Sequence, residues 1–198
     1  MVAIRTAALV PALLVTMLCA SEGSTLPLMA NIGAGFGQKW MSEPSFPRST
    51  DTGSAWEPIV TVIFGHRSLP VVLEGYASGT RQDGRPDTAN DVLLRETRLE
   101  TGLGLAGITR LGPIYTHLGG GIARISSKTR TLYSEAPEGS FTGTGHWIGG
   151  GAFFPLGAGF DVGSAFRYTN IDRHLDPHYG YELGGVSASA LVGWGLLR

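Results

Sequence analysis

The feature that most constrains this chain is an alternation of side chains with period two, repeated in eight segments of roughly ten residues. From Leu28, one face carries Leu28, Ala30, Ile32, Ala34 and Phe36. The other carries Met29, Asn31, Gly33, Gly35 and Gly37. The fourth segment, Leu93–Ile108, sets Thr97, Leu99, Thr101, Leu103 and Leu105 against Glu96, Arg98, Glu100, Gly102, Gly104 and Ala106. Segments at Trp56–Gly65, Leu69–Ser78, Ile114–Ile125, Ala158–Thr169 and Val186–Leu196 alternate in the same way. The sixth, Gly145–Phe154, places Trp147 and Phe153 on the apolar side, with its phase blurred by three glycines at 149–151.

About ten residues is the length a tilted strand needs to cross a bilayer. The gaps at 66–68, 110–113 and 155–157 are short. Those at 38–55, 79–92, 126–144 and 170–180 are long and rich in Ser, Thr, Pro, Asp and Arg. This layout predicts an all-β chain: an eight-stranded antiparallel up-and-down transmembrane β-barrel with short periplasmic turns and long extracellular loops. An even strand number returns both termini to the short-turn side.

The first twenty residues read as an export leader. Arg5 is their only charge, Ala7–Ala20 is apolar apart from Pro11 and Thr16, and Ala20 and Ser21 offer small residues for cleavage, with Gly23 and Ala30 as later options. The predicted organisation is a signal peptide at 1–20, cut somewhere in 20–30, and one barrel domain at 28–198. Cys19 falls in the leader, so a chain cut after Ala20 has no disulfide, thiolate nucleophile or cysteine-ligated metal. Lys+Arg is 15 and Asp+Glu 16, which argues against nucleic acid as a partner, since phosphates demand a basic surplus. Charged residues are 16%, against roughly 25% in ordinary soluble domains. The 30 glycines follow no three-residue period, which excludes collagen, and 42% hydrophobic residues exclude a disordered chain.

In hydrocarbon every backbone N–H and C=O must pair within the protein, and a closed barrel achieves this with no free edge. The apolar face should then point outward. Glycine and alanine should point inward, because an eight-stranded lumen is narrow. Phe36, Trp56, Trp147, Phe153, Tyr168, Tyr181 and Trp194 are expected at the headgroup levels, while Tyr115 reads as inward. Glu74, Glu96, Arg98, Glu100, Asp161 and Arg167 share the inward phase. They predict a lumen network of paired charges, since a desolvated unpaired charge costs several kcal/mol or more. A gate or proton path is the alternative use of the same residues.

On this pattern the sequence resembles the small eight-stranded outer-membrane barrels of the OmpA-transmembrane and OmpX type. The resemblance covers 28–198 and is carried by the leader, the glycine-rich alternation and stretches such as Gly159-Phe-Asp-Val-Gly-Ser-Ala-Phe-Arg-Tyr168. It implies an outer-membrane protein without cofactor, in contact with membrane lipid and lipopolysaccharide and inserted by the barrel-assembly machinery. It further implies a non-enzymatic role in envelope integrity or adhesion-type contacts through the surface loops. One departure stands at the C-terminus. Such barrels commonly end on an outward aromatic, whereas here that phase reads Val192, Trp194, Leu196, Arg198.

Three rival readings remain. Asp172, His174, Asp176 and His178 alternate in the last long gap and could ligate a divalent metal such as zinc, or simply form a solvated loop around Pro177. Arg167-Tyr-Thr-Asn170 followed by His174 is faintly similar to the lipid A deacylase PagL, another eight-stranded barrel. That family's His-x-Ser is missing, and Thr169 would be a poor nucleophile without a base in reach, so no catalytic residue is expected. The third is a soluble periplasmic barrel binding an apolar ligand, which requires the opposite polarity: polar outside, apolar inside. His117, on the inward phase, either titrates near physiological pH or fills the lumen as a hydrogen-bonded side chain.

Overall fold

Strands that alternate in this way expose unpaired backbone on both edges unless each finds two neighbours. In the computed structural model, which describes residues 28–41, 53–66, 68–84, 94–131, 139–173, 181–182 and 184–196, every long strand finds them. The strands are β1 (Leu28–Met41), β2 (Ser54–His66), β3 (Val71–Gly84), β4 (Leu94–Leu111), β5 (Ile114–Thr131), β6 (Gly139–Gly157), β7 (Phe160–Arg173), the two-residue β8 (Tyr181–Glu182) and β9 (Gly185–Leu196). The eight long strands pair antiparallel in chain order, and β9 closes the ring by pairing with both β7 and β1. β8 adds a short ladder to the end of β7. The fold is a closed eight-stranded antiparallel barrel.

Short turns join β2 to β3, β4 to β5 and β6 to β7 at one rim. The last is built at Ala158 and Gly159, both left-handed (φ 49° and 83°), after Gly157 at φ 113°. The sequence predicts this turn at 155–157. The ladder instead continues through Pro155, opposite Asp161, and slips in register before Gly157. The predicted leader at 1–20, and the segments 42–52, 85–93, 132–138 and 174–180 between strands, lie outside the described residues; the strand ends that flank those segments mark the other rim.

The strands reach further toward that second rim than the alternation predicts. β1 continues to Met41, β3 to Gly84, β5 to Thr131 and β7 to Arg173, all inside segments read as loops. The reason is a change of surroundings. Beyond an apolar belt the outer face meets water while the inner face still meets a polar lumen, so both faces turn polar and the alternation in hydropathy disappears.

The predicted phases of β1 to β5, β7 and β9 match the burial pattern. β6 corrects the expectation. Trp147 and Phe153 point inward, at 3% and 1% exposure, while Ile148 and Phe154 face out. They therefore do not belong to the aromatic belt. Flanking glycines explain the inversion. Gly119 and Gly121 on β5 and Gly149 and Gly151 on β6 leave space inside the wall, and two large rings fill it. Of the other expected belt aromatics, Trp56 stands near the long-connection rim, Trp194 near the short-turn rim, and Phe36 and Tyr168 face outward within their strands.

Candidate functional site

The inward phase builds the lumen from the short-turn rim upward. At the bottom, Met29, Ile63, Val72, Ala106, Phe153 and Leu191 form an apolar plug, with Ile108 and Tyr115 packed beneath it. Within it, Asn31 Nδ2 donates to Asp161 Oδ2 at 2.5 Å. Above, Glu74 Oε1 stands 3.6 Å from His117 Nε2 and 3.7 Å from Arg167 Nη2. His117 stacks on Phe153 at 5.4 Å between centroids. The Arg167 guanidinium lies 3.4 Å from the centre of the Tyr76 ring, and Trp147 meets that ring edge-on. A cation over an aromatic face gains most when both are desolvated, as here.

Glu100 is the centre of the next level. Its carboxylate accepts from Lys39, from Tyr76 Oη at 2.7 Å and from Thr169 Oγ1 at 2.8 Å. Higher still, Arg98 Nε and Nη2 donate to Glu96 at 2.9 and 3.2 Å, and Ser127 Oγ donates to the same carboxylate at 2.5 Å. Arg98 Nη1 also reaches Met41 Sδ at 3.2 Å. Charge-assisted bonds of this kind are the strong ones, and a low dielectric strengthens them further.

The six residues expected in the lumen thus fall into four groups rather than one. Arg98 holds Glu96. Glu100 belongs to Lys39. Glu74 lies between His117 and Arg167, and Asp161 sits apart near the short-turn rim with Asn31. Sequence reasoning missed Lys39 and Glu57 as lumen groups, and it put Tyr76 and Thr169 on the inward phase without joining them to the charged network. Lys39 lies in a segment read as loop, yet it keeps the parity of Asn31 and Gly37, and extending that parity would have found it. Glu57 is 1% exposed, and its Oε2 has no hydrogen-bond partner among the described residues.

The rival sites fare differently. His174, Asp176 and His178 lie outside the described residues. Asp172 pairs through its backbone with Glu182. Among the described residues no group of three His, Cys, Asp or Glu side chains is placed to hold a metal ion. Thr169 is 1% exposed and bonded to Glu100, so its hydroxyl faces the lumen and not lipid.

The outer wall carries the apolar side chains. Leu99, Leu103, Leu105, Leu118, Ile122, Ile148, Phe166 and Val192 are all exposed, with Leu118 at 69%. Soluble monomers rarely expose contiguous apolar patches beyond about 300–600 Å². A continuous belt around a closed barrel, over a charged interior, is the polarity that lipid demands and the reverse of a soluble barrel with an apolar cavity.

Fold and polarity together define the class: a small eight-stranded barrel of the outer-membrane type. No protein-family model and no curated protein sequence matches the chain. Solved structures do. Ail, the attachment invasion locus protein of Yersinia pestis, is 12% identical with TM-score 0.57, covering 85% of this chain and 98% of Ail. Its complex with the heparin analogue sucrose octasulfate superposes with TM-score 0.58 at 13% identity, covering 86% and 100%. OprG of Pseudomonas aeruginosa gives 11% and 0.57, covering 87% and 98%.

Proposed function

We propose that this chain is a non-enzymatic outer-membrane barrel, exported under the leader at 1–20 and inserted by the barrel-assembly machinery. The barrel serves as an anchor. The connections at the long-loop rim make its contacts with surface molecules, in an adhesion-type or envelope-stabilising role. The observation that carries this reading is the Glu100 level of the lumen. One carboxylate, tied to Lys39, Tyr76 and Thr169, draws β1, β3, β4 and β7 together, and Arg98 with Glu96 stands above it. A lumen bonded across in this way plugs the barrel instead of conducting. The complex of Ail with a heparin analogue supports a ligand-contacting role on the same scaffold.

The test has three readouts. Cell fractionation should place the protein in the outer membrane. Unheated and boiled samples in detergent should differ in gel mobility, because a closed lipid-facing barrel resists detergent until heated. In planar bilayers the purified protein should give no steady conductance. Recovery as soluble periplasmic material overturns the location, and steady conductance overturns the plug. Thr169→Ala should leave lipid A unmodified relative to the native protein in the same cells. A change in lipid A acylation that depends on Thr169 would instead make the barrel an enzyme.

A further inference from the structure

Among the described residues the outward charges are not spread around the barrel. On β3, β4 and β5 the outward phase carries Arg81, Arg95, Arg124, Lys128 and Arg130 toward the long-connection rim. The cross-strand register sets them in rows. Arg81 lies opposite Thr97, which lies opposite Lys128 and then Ser140. Ala77, Thr101, Arg124 and Thr144 form the row nearer mid-membrane. Asp83, Arg95 and Arg130 form the row nearer the rim. The only outward anion in these rows is Asp83, which is bonded to Arg95 and lies 3.8 Å from Arg81 Nη2. Arg124 and Lys128 have no hydrogen-bond or ion-pair partner among the described residues. On β1, β2 and β7 the described outward positions toward this rim carry no cation and present Gln38, Trp40, Ser54, Trp56, Tyr168 and Asn170 instead.

Directly toward mid-membrane from Arg124 the wall turns apolar, with Ile122 and Leu103 side by side. Further along lies a groove of about 830 Å³ on the lipid side, lined by Leu118, Ile148, Gly150, Phe166, Ala188 and Ala190 among others. Gly150 and the two alanines make its floor, while Leu118, Ile148 and Phe166 make its walls. Arg124 to Leu118 is six residues, about 20 Å along the strand. From Leu118 the groove runs sideways along one cross-strand row, over Gly150 and Phe166 to Ala188, so cations and hydroxyls at headgroup level border a chain-wide apolar groove.

We propose that this face binds a phosphorylated glycolipid of the outer leaflet. Arg124, Lys128 and Arg81 take the headgroup phosphates, the hydroxyls of Thr97, Thr101 and Thr144 flank them, and the groove takes an acyl chain. Guanidinium groups suit phosphate because the bonds are charge-assisted and can be bidentate. The inference rests on the outer-membrane reading above, with the long-connection rim facing outward.

The test uses the full chain folded in zwitterionic phospholipid nanodiscs, with lipid A and dephosphorylated lipid A as probes. Native protein should hold lipid A about tenfold or more tighter than the dephosphorylated form, since each charge-assisted contact is lost with the phosphates. Arg124→Gln with Lys128→Gln should erase that preference. Ala188→Phe, which fills the groove, should weaken both probes alike. Retained heat-dependent mobility establishes that each variant is folded. A second measurement needs no variant: inorganic phosphate should fail to compete at concentrations where lipid A is bound. Equal affinity for the two lipids overturns the proposal. Competition by inorganic phosphate as strong as by lipid A overturns it in favour of a soluble-anion site. Either result, obtained with a protein that still fractionates with the outer membrane, leaves the barrel reading standing, whereas failure of fractionation removes both.

Discussion

Lys39 on β1 donates to Glu100 on β4 across the lumen, joining strands that β2 and β3 separate in the sheet. Both side chains are almost fully buried. A charge pair in such a place gains little over well-packed apolar side chains of the same size. Breaking it is another matter, because the remaining charge is left without a counterion in a low dielectric.

Lys39→Met should therefore destabilise the barrel by about 3–5 kcal/mol, and Glu100→Gln by a similar amount. The readout is the midpoint of urea unfolding in detergent. Lys39→Met combined with Glu100→Gln should recover most of the loss, since no uncompensated charge remains. Additive losses would show that the two side chains act independently.

Tyr76 faces Gly102 directly across β3 and β4. A Cβ at position 102 would come within 2.0 Å of the ring, so the ring lies flat on the glycine. That seat aims Tyr76 Oη at Glu100 and places the ring under Arg167. Gly102→Ala should cost about 1–3 kcal/mol by overpacking. Gly79→Ala, on β3 with nothing nearer than 3.7 Å, should cost little. Equal effects at the two positions would show that the ring is not seated there.

The parity of the strands was legible because lipid and a polar lumen impose opposite demands on successive residues. It failed where that contrast vanishes. Gly149, Gly150 and Gly151 carry no side chain to report which face is which, and Trp147 and Phe153 are residue types that favour the lipid interface, so their inward placement could not be read. Lys39, Thr80, Gln82 and Ser127 lie beyond the apolar belt, where polar residues occupy both faces of a strand and look like loop. The bond of Asn31 to Asp161 joins residues 130 apart in sequence, and no local pattern encodes that partner.

The corrected phase of β6 has an optical consequence. Trp40, Trp56 and Trp194 face outward, Trp56 at 76% exposure, whereas Trp147 is enclosed between Tyr76 and Arg167. In bilayers containing brominated lipid, a protein retaining only Trp147 should keep nearly all its fluorescence. A protein retaining only Trp194 should be strongly quenched. Quenching of Trp147 to the same degree would return β6 to the opposite phase.

At the water-exposed end of the β3–β4 ladder, Arg95 Nε and Nη2 donate to the two carboxylate oxygens of Asp83 at 2.7 and 2.9 Å. These bonds, with Arg81 3.8 Å away, hold the Asp83 carboxyl below the ordinary aspartate range. A group whose folded pKa is depressed contributes stability above its unfolded value, about 3.9, and loses it as the pH falls through the folded one. Asp83→Asn should thus cost no more than an exposed pair contributes, about 0.2–1 kcal/mol, at neutral pH. That difference should stay flat from about pH 8 to 5 and shrink once the native carboxyl protonates. Raising the pH should not change it, since the guanidinium keeps its charge. Unfolding midpoints of the two proteins across this range, with the Asp83 carboxyl followed by NMR, decide the matter. A difference that persists unchanged well below pH 3 would assign the effect to the shape of the side chain rather than its charge, and with it the registration of the outermost cationic row.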